Sequence, residues 1–391
     1  MKKIKIALLG SFPIYPYRNK IKFWNNRKNL VTSWNYNLAY ALAKNPELEV
    51  HFFCNASLWK TEIYTDKDLH IHFIGHPPRL DILNRLSFMQ FSNFQIQRLL
   101  NKLKPDLVHG IGTDHEYAYI AVKSGYPNVV TVHGVMKQIV EKYNSPWYSS
   151  FSLFAIFESL AIQKTKHIIS INPYVSEQFD YFKGQFHQIE NSISADFFSI
   201  PSKEEYDLCF IGMYNKGKRL LNVISALQIL RTNHPDIKLK IIGNPLDLVY
   251  DQEIKKFIQN NNLEHNVKFL GQLEQKEVAT LLAQSKMLVV PSIQETAPMV
   301  IAEAMALGKA IVATNVGGIK YMVQDGITGF VIPPDNIHAI VEKVNLLLLN
   351  KNLRLNMGKN AKELAQKTYH PDIVAKKTYQ VYKNILSQKE V

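Results

Sequence analysis

Two carboxylates, Glu295 and Glu303, stand eight positions apart in the run PSIQETAPMVIAEAMALG, Pro291 to Gly308. The apolar run MLVVPS ends at Ser292 beside a proline and predicts a buried strand. Pro298 suits the first turn of a helix, where its missing N–H removes no bond, and Gly308 suits the position just past the end. Glu295 then lies in the loop and Glu303 inside the helix, about one to two turns in at roughly 1.5 Å per residue. Between them, N–H groups of Thr296, Ala297 and Met299, with Val300 next in the turn, present the positive end of the helix dipole. An anion site flanked by acceptors for hydroxyl groups has the layout of a nucleotide sugar: sugar hydroxyls, a diphosphate and a ribose diol. Taken alone, the same residues fit equally well a Glu295 that caps the helix and a Glu303 that is a solvated surface charge.

Two further groups end predicted strands. In FIGMYNKGKR the strand stops at Gly212, and a basic loop with Lys216, Lys218 and Arg219 leads into a helix. In VVTVHG the strand runs into His133, a histidine whose commoner role at such a place is structural.

The elements that position these residues alternate along the whole chain. Apolar strand runs are predicted at Ile4 to Leu9, Val50 to Cys54, His70 to Ile74, Leu107 to Gly110, Val129 to Val132 and His167 to Ser170. The series restarts at Asp207 to Gly212 and continues at Lys238 to Ile242, Val267 to Leu270, Leu288 to Val290, Ile311 to Thr314 and Phe330 to Ile332. Helical segments between them, such as Ser33 to Lys44 and Asp81 to Leu103, make βα units and parallel sheets covered on both faces. Two series predict two doubly wound, Rossmann-like α/β domains, residues 1–198 and 199–370, with Ala195 to Glu205 as linker and a last helix, 371–391. Such sheets bind ligands at the carboxyl ends of their strands, so two facing domains would enclose one cleft.

Residues 265–336, HNVKFLGQL through DGITGFVIPPDN, resemble the C-terminal signature of family 4 glycosyltransferases, retaining enzymes of GT-B fold. The E-x7-E pair, AMALGKAIVATNVGGI and DGITGFVIPPD follow the family's order and spacing. KPDLVHG at 104–110, TVHG at 131–134, FESLAIQKTKHIISIN at 157–172 and FIGMYNKGKRLLNVISAL at 210–227 extend the likeness over nearly the whole chain. The resemblance implies that the last helix crosses back to the first domain. It implies that Glu295 holds hydroxyls of the donor sugar, that Glu303 accepts the ribose diol, and that backbone near Leu270 and Gly271 reads the base. Lys218 would grip the diphosphate, and His133 would meet the donor sugar or its leaving phosphate. Retention would follow a front-face path in which the leaving phosphate helps deprotonate the acceptor.

The chain departs from the family at three places. Met213 stands where an arginine usually follows Gly212, leaving Lys216 or Arg219 to compensate. Asn191 occupies the asparagine of the family's N-G-V motif, but Ser192 and Ile193 follow it, and a structural role is expected. Ahead of the first helix the family's glycine pair is missing. Gly10 and Ser11 are the small residues near strand one, and the basic, aromatic stretch YRNKIKFWNNRK, Tyr17 to Lys28, replaces the pair. Its Trp24 fits an acceptor that is an anionic glycan or a lipid interface, and the stretch fits a merely solvated loop equally well. His109 is expected to pack beside Asp106, and Phe88, Phe91 and Phe94 to face a core. A nucleotide-sugar epimerase of similar shape and a non-catalytic binding relative share the acidic pair. DGITGFVIPPD favours family 4 over the first, and Lys218 with both carboxylates disfavours the second.

Composition agrees with this reading. The 391 residues, 46% hydrophobic, suffice for two cores, and the two cysteines, Cys54 and Cys209, fall in predicted strands, which argues against a disulfide framework and for a cytoplasmic protein. MKKIKIALLGSFP reads as a first strand rather than a signal peptide, and no apolar run approaches the ~20 residues that span a bilayer. The net charge of +13 suits a phosphate-bearing substrate or peripheral contact with an anionic membrane. Without zinc-finger spacing or an RNP-type motif, nucleic acid is not an expected partner. Asp66 and Asp68 form the sequence's Asp-x-Asp tripeptide in a turn-like context away from the donor half, and no metal cofactor is expected.

Overall fold

The computed structural model describes residues 2–13, 17, 33–56, 58, 60–75, 90–142 and 144–388. They divide into two compact units, Met1–Ser194 with Pro371–Val391, and Ala195–His370.

The first unit is built on eight strands: β1 (Ile4–Leu9), β2 (Leu48–Ala56), β3 (Glu62–Asp66), β4 (Leu69–Gly75), β5 (Leu107–Ile111), β6 (Asn128–Val132), β7 (His167–Ser170) and β8 (Gln185–Gln188). Their order is β3-β4-β2-β1-β5-β6-β7-β8, and β3 alone runs antiparallel to its neighbour. The strand order reverses between β1 and β5, the place where doubly wound sheets open a crevice at their carboxyl ends. One face buries Ile6, Leu8, Phe52 and Phe73 against Leu38 and Leu42. The other buries Leu9, Phe53 and Val108 against Ile96, Leu100 and Ile120. Cover on both faces is why these strands are continuously apolar in sequence.

Strands β3 and β8 carry no such run, because they are edges whose residues are partly solvated. The β3–β4 hairpin turns at Lys67 and Asp68, both at positive φ, and Asp66 accepts a 2.5 Å hydrogen bond from Tyr40 Oη. The Asp-x-Asp tripeptide is thus a hairpin turn. Cys54 and Cys209 are both buried as free thiols.

The helix Pro371–Ser387 packs on the first unit, burying Val374, Tyr379 and Tyr382 in the same core as β1. Tyr379 Oη donates to Glu47 at 2.7 Å, and Lys44 pairs with Asp372 at 3.1 Å. His109 departs from expectation: it is fully buried, with Nδ1 2.6 Å from Tyr382 Oη and Nε2 2.6 Å from Thr131 Oγ1. Asp106 accepts instead from the backbone N–H of Lys5 at 2.7 Å. An odd spacing along an extended chain sends two side chains to opposite faces, so the pair could not meet. Phe88 and the side chain of Phe91 lie outside the described residues, and Phe94 is 69% exposed instead of buried in a core.

The second unit has six parallel strands, β9 (Tyr206–Ile211), β10 (Leu239–Ile242), β11 (Val267–Gly271), β12 (Ser285–Val290), β13 (Ala310–Thr314) and β14 (Phe330–Ile332), in the order β11-β10-β9-β12-β13-β14. It begins at Ala195, not at residue 199, and the expected linker is part of it. The helix Asp196–Ser199 contacts the helix Met299–Ala306. Lys203 N donates to Ala283 O at 3.1 Å, and Arg354 clasps Glu204 with contacts of 2.7 and 3.0 Å. The buried Lys309 donates to Ser202 Oγ and Ser285 O, and burial lowers its ammonium to about 8. A polar segment read as a connector is fixed by partners far along the chain. Among the described residues no helix is long and apolar enough to cross a membrane.

Candidate functional site

Three loops converge at the carboxyl ends of β9, β12 and β13. After β9 the chain passes Gly212, at φ 141°, and reaches the short 3₁₀ turn Lys216–Lys218. The Asn215 side chain accepts from Gly217 N at 2.9 Å and Lys218 N at 3.2 Å, an Asx-type cap that fixes the loop. Gly217 O in turn accepts from Ile293 N at 3.0 Å, tying this loop to the one after β12. Lys218 is thereby delivered to Glu295, and its ammonium forms an ion pair with Glu295 Oε1. Ser292 Oγ donates to the same oxygen at 2.8 Å.

The Glu295 backbone is held from β13. Gly318 N donates to Glu295 O at 3.0 Å, and Gly317, at φ 51°, lies so close that a Cβ there would stand 1.9 Å from that oxygen. Both conditions demand glycine. Asn215, Ser292, Gly317 and Gly318 were not singled out from sequence, although N-x-G and a Gly-Gly before a helix are readable turn signals.

The helix after this loop spans Met299–Ala306, and Pro298 is its N-cap, with ψ 110°, instead of its first helical residue. Proline's fixed φ serves both positions, so the sequence does not separate them. Thr296 and Ala297 therefore remain in the loop, and Met299 and Val300 begin the helix, whose first-turn N–H groups have no helical acceptor. Glu303 is 9% exposed, accepts a hydrogen bond from Gln275, and burial pushes its carboxyl up to about 7. Leu270 and Gly271 are half-buried at the end of β11, where Gly271 O accepts from Gly243 N at 2.8 Å.

Arg219, with Lys216 an expected substitute for the missing arginine, is tied to the loop after β14. It takes the left-handed conformation at φ 52°, and its guanidinium forms a fork on Asp335 with contacts of 2.6 and 3.0 Å. A bidentate pair of this kind keeps the side chain on the Asp335 loop. Lys216 is exposed and has no side-chain partner among the described residues.

In the first unit, His133 follows β6 and accepts at Nδ1 from the indole N–H of Trp34 at 3.1 Å. Burial lowers the imidazole to about 4, while Asp114 pulls the other way. Gly10 ends β1 against Ile111, and Ser11 O accepts from Asn35 Nδ2 at 2.8 Å. Trp24 lies outside the described residues. A small, partly open cavity of about 20 Å³ is lined by Trp34, Asn35, Thr131, His133, Asn191 and Thr378, room for roughly one water. Glu158, also buried, accepts from Thr113 Oγ1 at 2.6 Å and Met136 N at 2.9 Å, which ties the turns after β5 and β6 together.

Residues 31–197 match the family described as Glycosyltransferase Family 4, and residues 192–364 the one described as Glycosyl transferases group 1. An uncharacterized glycosyltransferase of Methanocaldococcus jannaschii is 29% identical over 64% of this chain. The chain spans 66% of that relative's length, just under two thirds. The sucrose-phosphate synthase of Thermosynechococcus elongatus superposes with a TM-score of 0.75 over 99% of this chain and 100% of that one, at 17% identity. HepE of Anabaena, solved in complex with UDP, gives 0.71 over 98% and 100%, at 16% identity. These two likenesses bear on the fold, and both are to GT-B structures. With two consecutive family matches over residues 31–364 and a paired-sheet architecture of that kind, the chain belongs to the group 1, family 4 glycosyltransferases of GT-B fold.

Proposed function

We propose that the protein transfers a hexose from a nucleoside-diphosphate sugar to an acceptor hydroxyl with retention at the anomeric carbon. The observation that carries this reading is the Lys218–Glu295 pair beside the start of the helix Met299–Ala306. A diphosphate approaching Lys218 competes with Glu295 for the ammonium, and the displaced carboxylate becomes an acceptor for sugar hydroxyls. Departure of the diphosphate is the demanding step. Lys218 and the first-turn N–H groups stabilise the charge that develops on it, in the manner of preorganised electrostatic catalysis. Glu303 then accepts the ribose diol, and His133 meets the sugar or its phosphate. No metal cofactor enters this scheme, since an ammonium and helix N–H groups supply the positive charge.

A solved neighbour in complex with UDP supports UDP as the first nucleotide to try. The acceptor side remains a glycan or lipid-linked acceptor, in surface polysaccharide or lipid-linked glycan synthesis at the inner face of a membrane. The net charge of +13 supports peripheral contact with anionic lipid there.

The experiment is a thermal-shift screen of UDP-, GDP- and ADP-hexoses followed by measurement of nucleotide release. A donor at one hundred times its Kd should stabilise the protein by about 2.7 kcal/mol. If none shifts the melting temperature and none releases nucleotide, the proposal fails.

A further inference from the structure

His133 has two neighbours of opposite kind, an indole N–H that bonds to Nδ1 and a carboxylate whose charge reaches the ring. Trp34, in the first turn of the helix Ser33–Ala43, places its indole Nε1 3.1 Å from His133 Nδ1, with the rings edge to face at 85° and 5.5 Å between centroids. An indole N–H only donates, so this contact needs a lone pair on Nδ1 and leaves the imidazole proton on Nε2. Asp114 acts on the ring through space, and its charge favours the protonated imidazole. A Cβ on Gly112 would stand 2.5 Å from Asp114 Oδ1 and 3.8 Å from His133 Nδ1, so the carboxylate and the imidazole bracket that glycine. Asp114 is exposed and accepts no hydrogen bond from the described residues.

Two further titratable groups among the described residues line the same pocket: Glu190, which pairs with Lys377 at 3.0 Å, and His109, whose two nitrogens are both engaged, by Tyr382 and Thr131. His109 has no free nitrogen with which to settle the choice of tautomer. His133 Nε2 makes no hydrogen bond to the described residues.

We propose that Trp34 is a positioning residue that holds His133 as the neutral Nε2–H tautomer, so that the ring offers a ligand a hydrogen-bond donor and not a base. This rests on the transfer reaction proposed above only for its consequence. A neutral donor suits a sugar hydroxyl or a phosphate oxygen, whereas the Nδ1–H tautomer would aim a lone pair at the same oxygen. The tautomer itself stands on the indole geometry.

The test uses the full chain labelled with ¹⁵N at histidine, with long-range ¹⁵N–¹H spectra recorded across pH and H133Q to assign the resonances. In the wild type His133 should show an unprotonated Nδ1 and a protonated Nε2. In Trp34→Phe, which keeps an aromatic ring but no N–H, the lone pair loses its donor. The His133 signals should move toward Nδ1–H or an averaged form, and its apparent pKa should rise. In Asp114→Asn the wild-type tautomer should persist. A wild-type His133 that carries its proton on Nδ1 overturns the proposal even if Trp34→Phe does not fold, as does a folded Trp34→Phe whose tautomer and pKa are unchanged. With a UDP-hexose that is turned over, Trp34→Phe should also lose about tenfold in kcat, one misplaced hydrogen bond's worth. Failure to find any such donor would sink the proposed reaction while leaving the spectra to decide on Trp34.

Discussion

The ammonium of Lys218 bonds to a carboxylate oxygen of Glu295, two residues 77 positions apart that arrive from the loops after β9 and β12. Both are held from the backbone: Asn215 fixes that of Lys218, and Gly318 that of Glu295. Replacing either with alanine should lower nucleotide release about 10²- to 10³-fold while the protein stays folded. Because each side chain is placed partly by the other, the double variant should be less impaired than the product of the two single losses. Steady-state rates of the four proteins measure this. Strict multiplicativity would show that the two side chains act independently.

Gly317 tests the same site through the backbone. Its φ of 51° and the 1.9 Å approach of a would-be Cβ to Glu295 O leave alanine nowhere to go. Gly317→Ala should destabilise the protein by about 1–3 kcal/mol and abolish the donor's thermal shift by moving Glu295. Urea unfolding and ligand melts separate the two effects. A variant that keeps wild-type donor affinity would remove the Glu295 loop from the site.

Arg219 should matter little to turnover. Its fork on Asp335 holds the loop after β14. Arg219→Ala should cost about 1 kcal/mol or less at this partly exposed pair, with nucleotide release within a few-fold of wild type, whereas Lys216→Ala should weaken donor affinity more. The reverse ranking would restore Arg219 as the replacement for the arginine missing at Met213.

The local half of this site was legible in sequence. The strand closed by Pro291, the loop carrying Glu295 and the helix carrying Glu303 follow from periodicity and punctuation, because those signals are short-range. What was not legible depends on sheet register. The Lys218–Glu295, Arg219–Asp335 and Trp34–His133 contacts join residues 77, 116 and 99 positions apart, and each exists because strand neighbours in space are not neighbours in chain order. The pairing of Arg219 was not legible because nothing nearby in the chain reveals Asp335. The edge strands β3 and β8 escaped for a different reason: half-solvated strands need no apolar run.

Acid should destabilise the first unit. Burial lowers His72 and His109 to about 3 and His133 to about 4, below the ordinary 6.5. Between those values the unfolded chain binds more protons than the folded one, so stability is full above about pH 6.5 and is lost as pH falls toward 3. His72 stacks on Phe53 at 4.2 Å, and its Nδ1 has no hydrogen-bond partner among the described residues. His72→Phe should therefore flatten the acid limb of a melting-temperature curve recorded from pH 7.5 to 4.5. An unchanged slope would move the acid sensitivity to other groups.

Glu303 gives the opposite sign in the second unit. Its folded carboxyl is raised to about 7 from an ordinary 4.5, so its stabilising protonated form is complete below pH 4.5 and is lost as pH rises through 7. Glu303→Gln removes that loss. The variant should melt higher than wild type at pH 8, by on the order of 2 kcal/mol, and no higher at pH 4.5. Binding should respond in the other direction, because a ribose diol needs two acceptors and the amide offers one. Wild-type affinity for UDP should improve from pH 6 to 8 as the carboxylate forms. Glu303→Gln should lose roughly 10- to 150-fold at pH 8, corresponding to the ~1.5–3 kcal/mol of a charged hydrogen bond, and show a flat profile. Calorimetric titrations at three pH values read both curves. Identical, pH-independent affinities would take Glu303 out of the nucleotide site while leaving its effect on stability intact.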